Sequence, residues 1–174
     1  MTPHPEPLLD FRTIDLEKHR ELACRFRRDS YAVSFGHSDA FDGPDGNGAS
    51  EYLTWLEGRI QSFPAGQVHA WVGDEVVGQI EAIPRTRAGE EDGPFGYINL
   101  YYLSPKWRGQ GLGRQLEIYV NKLFRGMGIE CLILSVSPTN KPAWNFYLRE
   151  GWKDSGPNPK SPEVHFMEKP LSQN

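Results

Sequence analysis

Apolar residues recur at helical spacing in three stretches of the chain, which predicts three amphipathic helices. The first runs from Asp15, a suitable N-cap, to about residue 30, and the second follows Ser50, a second candidate cap. The third, residues 112–124, has the most regular apolar stripe and is closed by Gly126 and Gly128. A shorter helix is predicted over residues 142–150.

Short runs of β-forming residues lie between these helices. They cover residues 8–14, 68–72, 76–83, 97–103, 131–136, 152–154 and 164–167. The resulting order, β-α-α-β-β-β-α-β-α-β-β, predicts an α/β fold with a mixed sheet and helices on its faces. We expect residues 1–8 to be a flexible tail and residues 9–172 to form one domain.

Charge is distributed unevenly over the 174 residues, whose formal net charge is -4. Residues 103–125 have a balance of +4, whereas residues 36–58 carry five acids and no Lys or Arg. This net charge argues against a nucleic-acid partner bound through a general basic surface. Two cysteines without metal-ligand spacing argue against a metal site. With no secretory or membrane-spanning pattern, we expect a cytoplasmic protein without a membrane partner.

A glycine-rich segment, LSPKWRGQGLGR, joins the strand at 97–103 to the helix at 112–124. Such a turn presents successive backbone N–H groups at the positive end of a helix, which is a phosphate site. The alternative is a plain turn that uses glycine for its backbone freedom. A P-loop is excluded because no Lys-Ser/Thr pair follows, and a dinucleotide fingerprint is excluded because Arg114 stands at the third glycine position.

The segment resembles motif A of the GNAT superfamily of acyl-CoA N-acyltransferases, [RQ]-x-x-G-x-[GA], through Arg108, Gly111 and Gly113. Downstream, N-K-P-A-W-N-F-Y-L-R-E-G-W, from Asn140 to Trp152, resembles the family's motif B. Two matches separated by one helix and one strand are more specific than either alone. The order of elements is similar to the family from about residue 9 to 170.

The resemblance implies a GNAT fold and acetyl-CoA as the acyl donor. In such folds the strands before and after the motif A helix splay apart, and the pantetheine arm lies in the gap. Asn140 is expected either to bind this arm while capping the next helix or only to cap it. The residues expected to bind acetyl-CoA are Leu103, Arg108, Gly109, Gln110, Gly111, Leu112, Gly113, Arg114 and Asn140.

Tyr147 shares a helix face with Ala143 that, by resemblance, points at the thioester. It is the candidate general acid for the leaving thiolate, and the alternative is an ordinary core tyrosine. The candidate base is less clear, because the strand at 97–103 holds Asn99 and no acid. Glu81 is the best substitute, unless it forms a salt bridge or sits at an exposed strand end, and His165 is a weaker candidate.

The family implies direct transfer of an acetyl group to a primary amine of a small molecule or peptide. The acceptor pocket would lie near the first two helices. There the acidic loop and its aromatic neighbours would suit a cationic amine, although a solvated loop has the same composition. The alternative function is a catalytically weak acyl-CoA-binding sensor or interaction module. The protein is expected to be a monomer or homodimer. The acids of the loop expected near the acceptor pocket are Asp39, Asp42 and Asp45, and the aromatic neighbours are Tyr31, Phe35, Phe41, Tyr52 and Trp55.

Overall fold

Seven strands form one sheet in the order β1-β2-β3-β4-β5-β7-β6 in the computed structural model, which describes residues 5–87 and 93–171. The β4–β5 pair is parallel, and the other neighbouring pairs are antiparallel. The predicted mixed sheet is confirmed. The strands are β1 (Asp10–Thr13), β2 (Gln67–Val72), β3 (Glu75–Arg85), β4 (Phe95–Leu103), β5 (Cys131–Val136), β6 (Lys153–Asn158) and β7 (Ser161–Pro170).

Helices cover both faces of the sheet, so each face has its own apolar core. On one face, α1 and α3 pack with Phe41 of the one-turn α2. On the other, the apolar stripe of α4 and Tyr147 of α5 pack against β4, β5 and β7. Two short 3-10 turns occur at Pro64–Gly66 and Pro105–Trp107. The helices are α1 (Leu16–Phe35), α2 (Asp39–Asp42), α3 (Gly48–Ser62), α4 (Leu112–Arg125) and α5 (Lys141–Arg149).

Several helix boundaries follow from local chemistry. Asp15 caps α1 as predicted, because its carboxylate accepts hydrogen bonds from two backbone N–H groups of the first turn. The predicted cap of α3, Ser50, is wrong, since the helix already begins at Gly48. A Cβ on Gly48 would lie 1.6 Å from the carbonyl oxygen of Phe41. Glycine is therefore required where α3 begins against α2, an element that the sequence pattern did not reveal.

A β-bulge interrupts the pairing of β3 and β4. Ala82 pairs with Ile98, but the next pair is Glu81 with Leu100, so Asn99 is the extra residue in β4. Because side chains alternate along a strand, one extra residue exchanges the two faces.

The exchange of faces is visible in the packing on either side of the bulge. Ile98 packs in the core under α4, whereas Leu100, two residues later, packs with Phe26 of α1. Tyr101 therefore turns to the face that carries Tyr147, and their ring centroids lie 6.4 Å apart. The bulge thus directs Tyr101 of β4 to the same face as Tyr147 of α5.

β4 and β5 separate just beyond this bulge. Their parallel pairing covers three pairs and ends with Ile98 opposite Leu134. The remainder of β4, up to Leu103, has no pairing with β5 in the described structure, and β5 ends at Val136. The strands before and after α4 are therefore splayed, as the resemblance implied. No helix in the described ranges is long and apolar enough to cross a membrane.

The N-terminal tail predicted over residues 1–8 falls partly outside the described residues. In the described part, Gln115 of α4 holds the chain with both ends of its side-chain amide. Its Nε2 donates to the carbonyl of Pro7 at 2.9 Å, and its Oε1 accepts from the N–H of Leu9 at 2.9 Å. This places residues 6–9 beside the start of α4. The domain limits of 9 and 172 stay a prediction, and residue 172 lies outside the described residues.

Candidate active site

A cleft of about 1190 Å³ opens where β4 and β5 separate. It is bounded by the whole of β4 from Tyr97, by the end of β5, by the turn before α4, and by residues of α1, α5 and β7. Because the gap lies within the sheet, the cleft connects the α4–α5 side with the α1 side. Such a position is typical of ligand sites in sheets that contain parallel strands.

The turn before α4 presents bare backbone to this cleft. Gly109 and Gly111 have φ values of 73° and 83°, in the left-handed region that glycine adopts without strain. Gly111 is the N-cap of α4, so the N-cap residue itself has no side chain to accept from the first N–H groups of this 14-residue helix. A Cβ on Gly113 would lie 3.1 Å from Cζ of Phe146, so glycine also allows α5 to approach.

The residues predicted to bind acetyl-CoA do not all reach the cleft. Its lining includes Leu103, Arg108, Gly109, Gly111, Gly113, Arg114 and Asn140. Leu112 is instead fully buried in the core. Gln110 lies outside the lining, and its amide donates to the carbonyl of Lys106 at 2.7 Å. The side chains of Leu112 and Gln110 therefore stabilise the turn, and only their backbone groups are available to a ligand.

Arg108 is held at the end of the turn by two hydrogen bonds. Its Nη2 donates to Asp29 of α1 at 2.8 Å, and its Nε donates to the carbonyl of Leu103 at 2.8 Å. The second contact occupies the carbonyl oxygen of Leu103, one of the residues expected to bind acetyl-CoA. Arg114 is exposed and lies 3.8 Å from a carboxylate oxygen of Glu150. Two guanidinium groups therefore flank the bare backbone of the turn.

Glu6 lies over the same turn. A Cβ on Gly111 would meet the Glu6 carboxylate at 2.6 Å, and Glu6 is part of the cleft lining. The segment is fixed there by the paired hydrogen bonds of Gln115 to Pro7 and Leu9. An anionic group of the chain itself thus occupies the approach to the N-terminus of α4.

Asn140 precedes α5 and lines the cleft. Its side chain makes no capping hydrogen bond to the described residues of α5. Both interpretations of Asn140 included a cap on α5, and this cap is absent from the described structure, while binding of pantetheine stays a prediction. The amide is left available to a ligand in the cleft.

Tyr147 lines the cleft from α5 and is 9% exposed. Burial, with a smaller effect from the charge of Glu117, raises the pKa of Tyr147 above its ordinary value. The phenol is therefore protonated at neutral pH. Glu117 is itself buried and accepts hydrogen bonds from the indole of Trp152 and from Lys169. Motif B thus supplies both Tyr147 and Trp152, the indole donor to this buried acid.

Glu81 is fully buried, and the cleft lining does not include it. One carboxylate oxygen accepts from Nη1 of Arg27 at 2.8 Å, and the other accepts from the hydroxyl of Tyr52 at 2.9 Å. Burial raises the pKa of Glu81, and the nearby Arg27 opposes the shift. The salt bridge named as the alternative is thus present, and the role as base stays a prediction that requires a proton to pass through a neighbour.

Behind Glu81, a line of buried hydrogen bonds crosses the sheet face under α1 and α3. The amide of Gln79 donates to the Tyr52 hydroxyl at 2.8 Å, and its oxygen lies 2.8 Å from Nε2 of His69. Burial lowers the pKa of His69 to about 4, so the imidazole is neutral. Each partner in this line needs the next, because an unpaired buried polar group is costly.

Other candidates lie away from the cleft. His165 is 2.9 Å from Asp154 and packs against Trp144, outside the lining. The aspartates of the acidic loop are also outside it, and Asp42 is paired with Arg28 at 2.9 Å. Tyr31 and Phe35 do line the cleft, whereas Phe41, Tyr52 and Trp55 lie behind it. The structure therefore does not bring the expected acidic groups to the acceptor side of the cleft, which is the side next to α1 where the acceptor amine was expected to bind.

Arg27 is a charged residue of the cleft that the sequence analysis did not select as a site residue. It lines the cleft and donates to Glu81 and to the carbonyl of Asn99. The available signal was its position, four residues after the buried Ala23 on the apolar face of α1. In the described parts of the chain, no group of three or more His, Cys, Asp or Glu side chains is placed to hold a metal ion.

Comparison with known proteins decides the family. The sequence profile of the Acetyltransferase (GNAT) family matches residues 28–152, which include both motifs and most of the cleft. The chain belongs to the GNAT acetyltransferase family. It is therefore an acyltransferase with acetyl-CoA as its acyl donor. No curated protein sequence matches the chain significantly.

Solved structures share this GNAT fold over nearly the whole chain. The PaiA N-acetyltransferase of Thermoplasma acidophilum, in complex with coenzyme A, has a TM-score of 0.71 at 19% identity and covers 94% of this chain and 99% of its own. A ribosomal-protein-alanine N-acetyltransferase of Brucella melitensis has a TM-score of 0.70 at 20% identity, with 93% and 99% covered. An acetyltransferase of Thermus thermophilus has a TM-score of 0.68 at 22% identity, with 97% and 100% covered. These similarities establish the fold.

Proposed function

We propose that this GNAT protein transfers an acetyl group directly from acetyl-CoA to a primary amine, within the cleft between β4 and β5. The observation that carries the proposal is the juxtaposition of the bare glycine turn, the unpaired edge of β4 and Tyr147 in one cleft. A phosphate site, a strand edge for an extended arm and a proton donor are together what an acyl-CoA donor requires.

The donor side is the half of the cleft that faces α4 and α5. The N–H groups from Gly109 to Arg114 would hold the pyrophosphate, with Arg108 and Arg114 adding positive charge. The pantetheine arm would lie along β4 toward the bulge, beside Asn140. From Leu103 back to Asn99 the strand spans about 13 Å, which sets the run of backbone available to the arm.

Tyr147 would act as the general acid. The amine attacks the thioester carbonyl and forms the new C–N bond, and the C–S bond then breaks. The phenol donates a hydrogen bond to the departing thiolate or protonates it, and a phenol that has given up its proton regains one from water. The amine nitrogen gives its own proton to water or to the Glu81–Tyr52 pair. The phenol is protonated at neutral pH, so it can donate a hydrogen bond to the departing sulfur and stabilise the negative charge that develops there.

Direct transfer is supported by the positions of the cysteines. Cys24 packs in the core between α1 and α3, and Cys131 is half-buried at the start of β5. Neither belongs to the described cleft lining, so no thiol is placed to receive the acetyl group there. The acceptor amine would therefore attack the thioester itself.

The alternative is an acyl-CoA-binding module with little catalysis. The observation that favours it is the burial of Glu81 behind Arg27, which leaves no carboxylate from the described residues of β3 or β4 in the cleft to accept the amine proton. If the protein is an active enzyme, water or the Glu81–Tyr52 pair would accept that proton.

The test is a panel of primary amines incubated with acetyl-CoA and the protein, with free thiol and acetylated amine both quantified. Direct transfer predicts equal amounts of thiol and acetylated amine, and an unmodified protein by intact mass spectrometry. A protein that carries an acetyl group on Cys24 or Cys131 would contradict direct transfer. Binding of acetyl-CoA with no amine-dependent thiol release would favour the binding module.

A further inference from the structure

Three arginines surround the bulge of β4 on the α1 and α3 side of the sheet. Arg27 lines the cleft and donates to the Asn99 carbonyl at 3.3 Å. Arg59 of α3 donates from Nη2 to the side-chain oxygen of Asn99. The guanidinium of Arg85 lies 4.0 Å from the ring centroid of Tyr97. Asn99 and Tyr97 both line the cleft, so Arg27 borders the cleft directly, and Arg59 and Arg85 lie behind these two lining residues.

These cations exceed the negative charge around them. Among the described residues, the one carboxylate in an ion pair with any of the three is Glu81, bound to Arg27. Burial, followed by the positive charge of Arg85, lowers the pKa of Arg59, and Nε of Arg59 is buried without a partner in the described residues. Crowded, unneutralised cations at a cleft are typical of a site that binds an anion.

The cluster is separate from the donor site. It lies at Asn99, about 13 Å along β4 from Leu103 and the glycine turn, so it does not serve the pyrophosphate. The acidic residues of the cleft lining lie elsewhere. Glu6 lies at the glycine turn, Glu150 lies near Arg114, and Glu163 is an exposed residue of β7. None of the three forms an ion pair with Arg27, Arg59 or Arg85 within the described structure.

We infer that the acceptor amine carries a carboxylate, as a free amino acid does, and that Arg27 binds this carboxylate on the α1 side of the cleft. Arg85 adds positive charge from behind Tyr97. Guanidinium groups suit this role because their paired donors match the two oxygens of a carboxylate. Arg59 is a positioning residue that fixes Asn99, and Glu81 fixes Arg27. The inference rests on the proposed function and replaces the cationic acceptor that the acidic loop led us to expect.

The test uses product pairs that differ only in the carboxylate. The CoA-loaded protein is titrated calorimetrically with N-acetyl amino acids and with the corresponding N-acetyl amino amides, so binding is read without catalysis. We expect at least one N-acetyl amino acid to bind about tenfold or more tightly than its amide, a difference of about 1.4 kcal/mol. Equal binding of the members of every pair, or no binding of any member, would overturn the inference.

Two substitutions, of Arg27 and of Arg85, test whether these residues cause the preference for the carboxylate. Arg27→Lys loses the paired donors of the guanidinium and should reduce the acid-to-amide ratio about tenfold. Arg85 is exposed, so Arg85→Gln should fold normally and reduce this ratio about threefold. Arg25→Gln, an exposed residue of α1 outside the cleft lining, is the matched control and should leave the ratio unchanged. An unchanged ratio in Arg85→Gln and in Arg27→Lys would overturn the inference. Failure of the unmodified protein to bind acetyl-CoA would instead overturn the proposed function.

Discussion

The rings of Tyr147 in α5 and Tyr101 in β4 lie with their centroids 6.4 Å apart, on the same side of the sheet. The bulge at Asn99 makes this possible, since it turns Tyr101 to that face. The hydroxyl of Tyr101 is buried without a partner among the described residues, and burial raises the pKa of this phenol as well. Two neutral phenols thus stand beside the cleft at the point where the strands separate.

Replacing Tyr147 by phenylalanine tests its role as the acid. We expect kcat to fall about 100-fold, because general acid catalysis of this kind contributes a factor of that order. The KM for acetyl-CoA should stay within about twofold, since the ring and its packing are retained. Steady-state kinetics with a fixed amine measures both values.

The matched control for this variant is Tyr119→Phe. Tyr119 lies on α4 outside the cleft lining, and its hydroxyl donates to the carbonyl of Ala65 at 2.7 Å. Its loss should affect stability by about 1 kcal/mol and leave kcat unchanged. A Tyr147→Phe enzyme that loses only affinity for acetyl-CoA would assign Tyr147 to donor binding.

Removing the charge of Glu6 should strengthen donor binding. Its carboxylate lies over Gly111, where the pyrophosphate is proposed to bind, so the two negative groups compete for the same backbone. We expect Glu6→Gln to raise acetyl-CoA affinity about two- to fivefold, because the residue is exposed and its charge is screened. Glu21→Gln, an exposed acid of α1, is the control. Equal affinities in all three proteins would mean that the Glu6 segment leaves the turn free.

Glu81→Gln separates the two roles discussed for this buried acid. If Glu81 takes up the amine proton through a neighbour, activity falls as pH drops through its raised pKa, and the variant should lack this acidic limb. The free energy of unfolding of this variant should also be about 3 kcal/mol lower, because Arg27 loses its charged partner. A pH–rate profile that keeps its acidic limb would leave Glu81 with the positioning of Arg27 alone.

The neutral state of His69 makes the fold sensitive to acid. Because burial lowers its pKa to about 4 from 6.5, the unfolded chain binds a proton in this range and the folded chain does not. The free energy of unfolding that depends on neutral His69 is therefore fully present above pH 6.5. This contribution, up to about 3 kcal/mol, is lost as pH falls toward 4. Urea unfolding at several pH values measures this loss.

The variant His69→Gln should show a smaller decline of unfolding free energy between pH 6.5 and 4, since it has no imidazole to protonate. His37→Gln serves as the control, because His37 is exposed. If His69→Gln and the unmodified protein lose the same free energy over this range, the decline comes from other groups.

Local patterns predicted the helix and strand that frame the donor site. The stripe of α4 and the short apolar run of β5 are properties of neighbouring residues, so they could be recognised without tertiary information. The bulge at Asn99 could not, because it depends on the register of β4 against β3. The same bulge decides which residues of β4 face Tyr147 and which face α1.

The acceptor side was the least predictable part. The acidic loop has a clear charge pattern, yet its carboxylates lie outside the cleft and Asp42 is neutralised by Arg28. Conversely, Arg27, Arg59 and Arg85 lie far apart in the sequence and come together only through the packing of α1 and α3 on the sheet. Charge counts along the chain do not report which charges face one another.

Isothermal titration of acetyl-CoA into the unmodified protein and the Arg108→Glu variant tests the central claim most directly, with ATP and NAD as control ligands. Arg108 joins the glycine turn to Asp29 and Leu103, so reversing its charge should weaken acetyl-CoA binding at least tenfold. We predict saturable binding of acetyl-CoA, weakened in the folded variant, and no binding of ATP or NAD. Absence of acetyl-CoA binding to the folded, unmodified protein, or equal binding of ATP, would contradict the assignment of this cleft as the acetyl-CoA site.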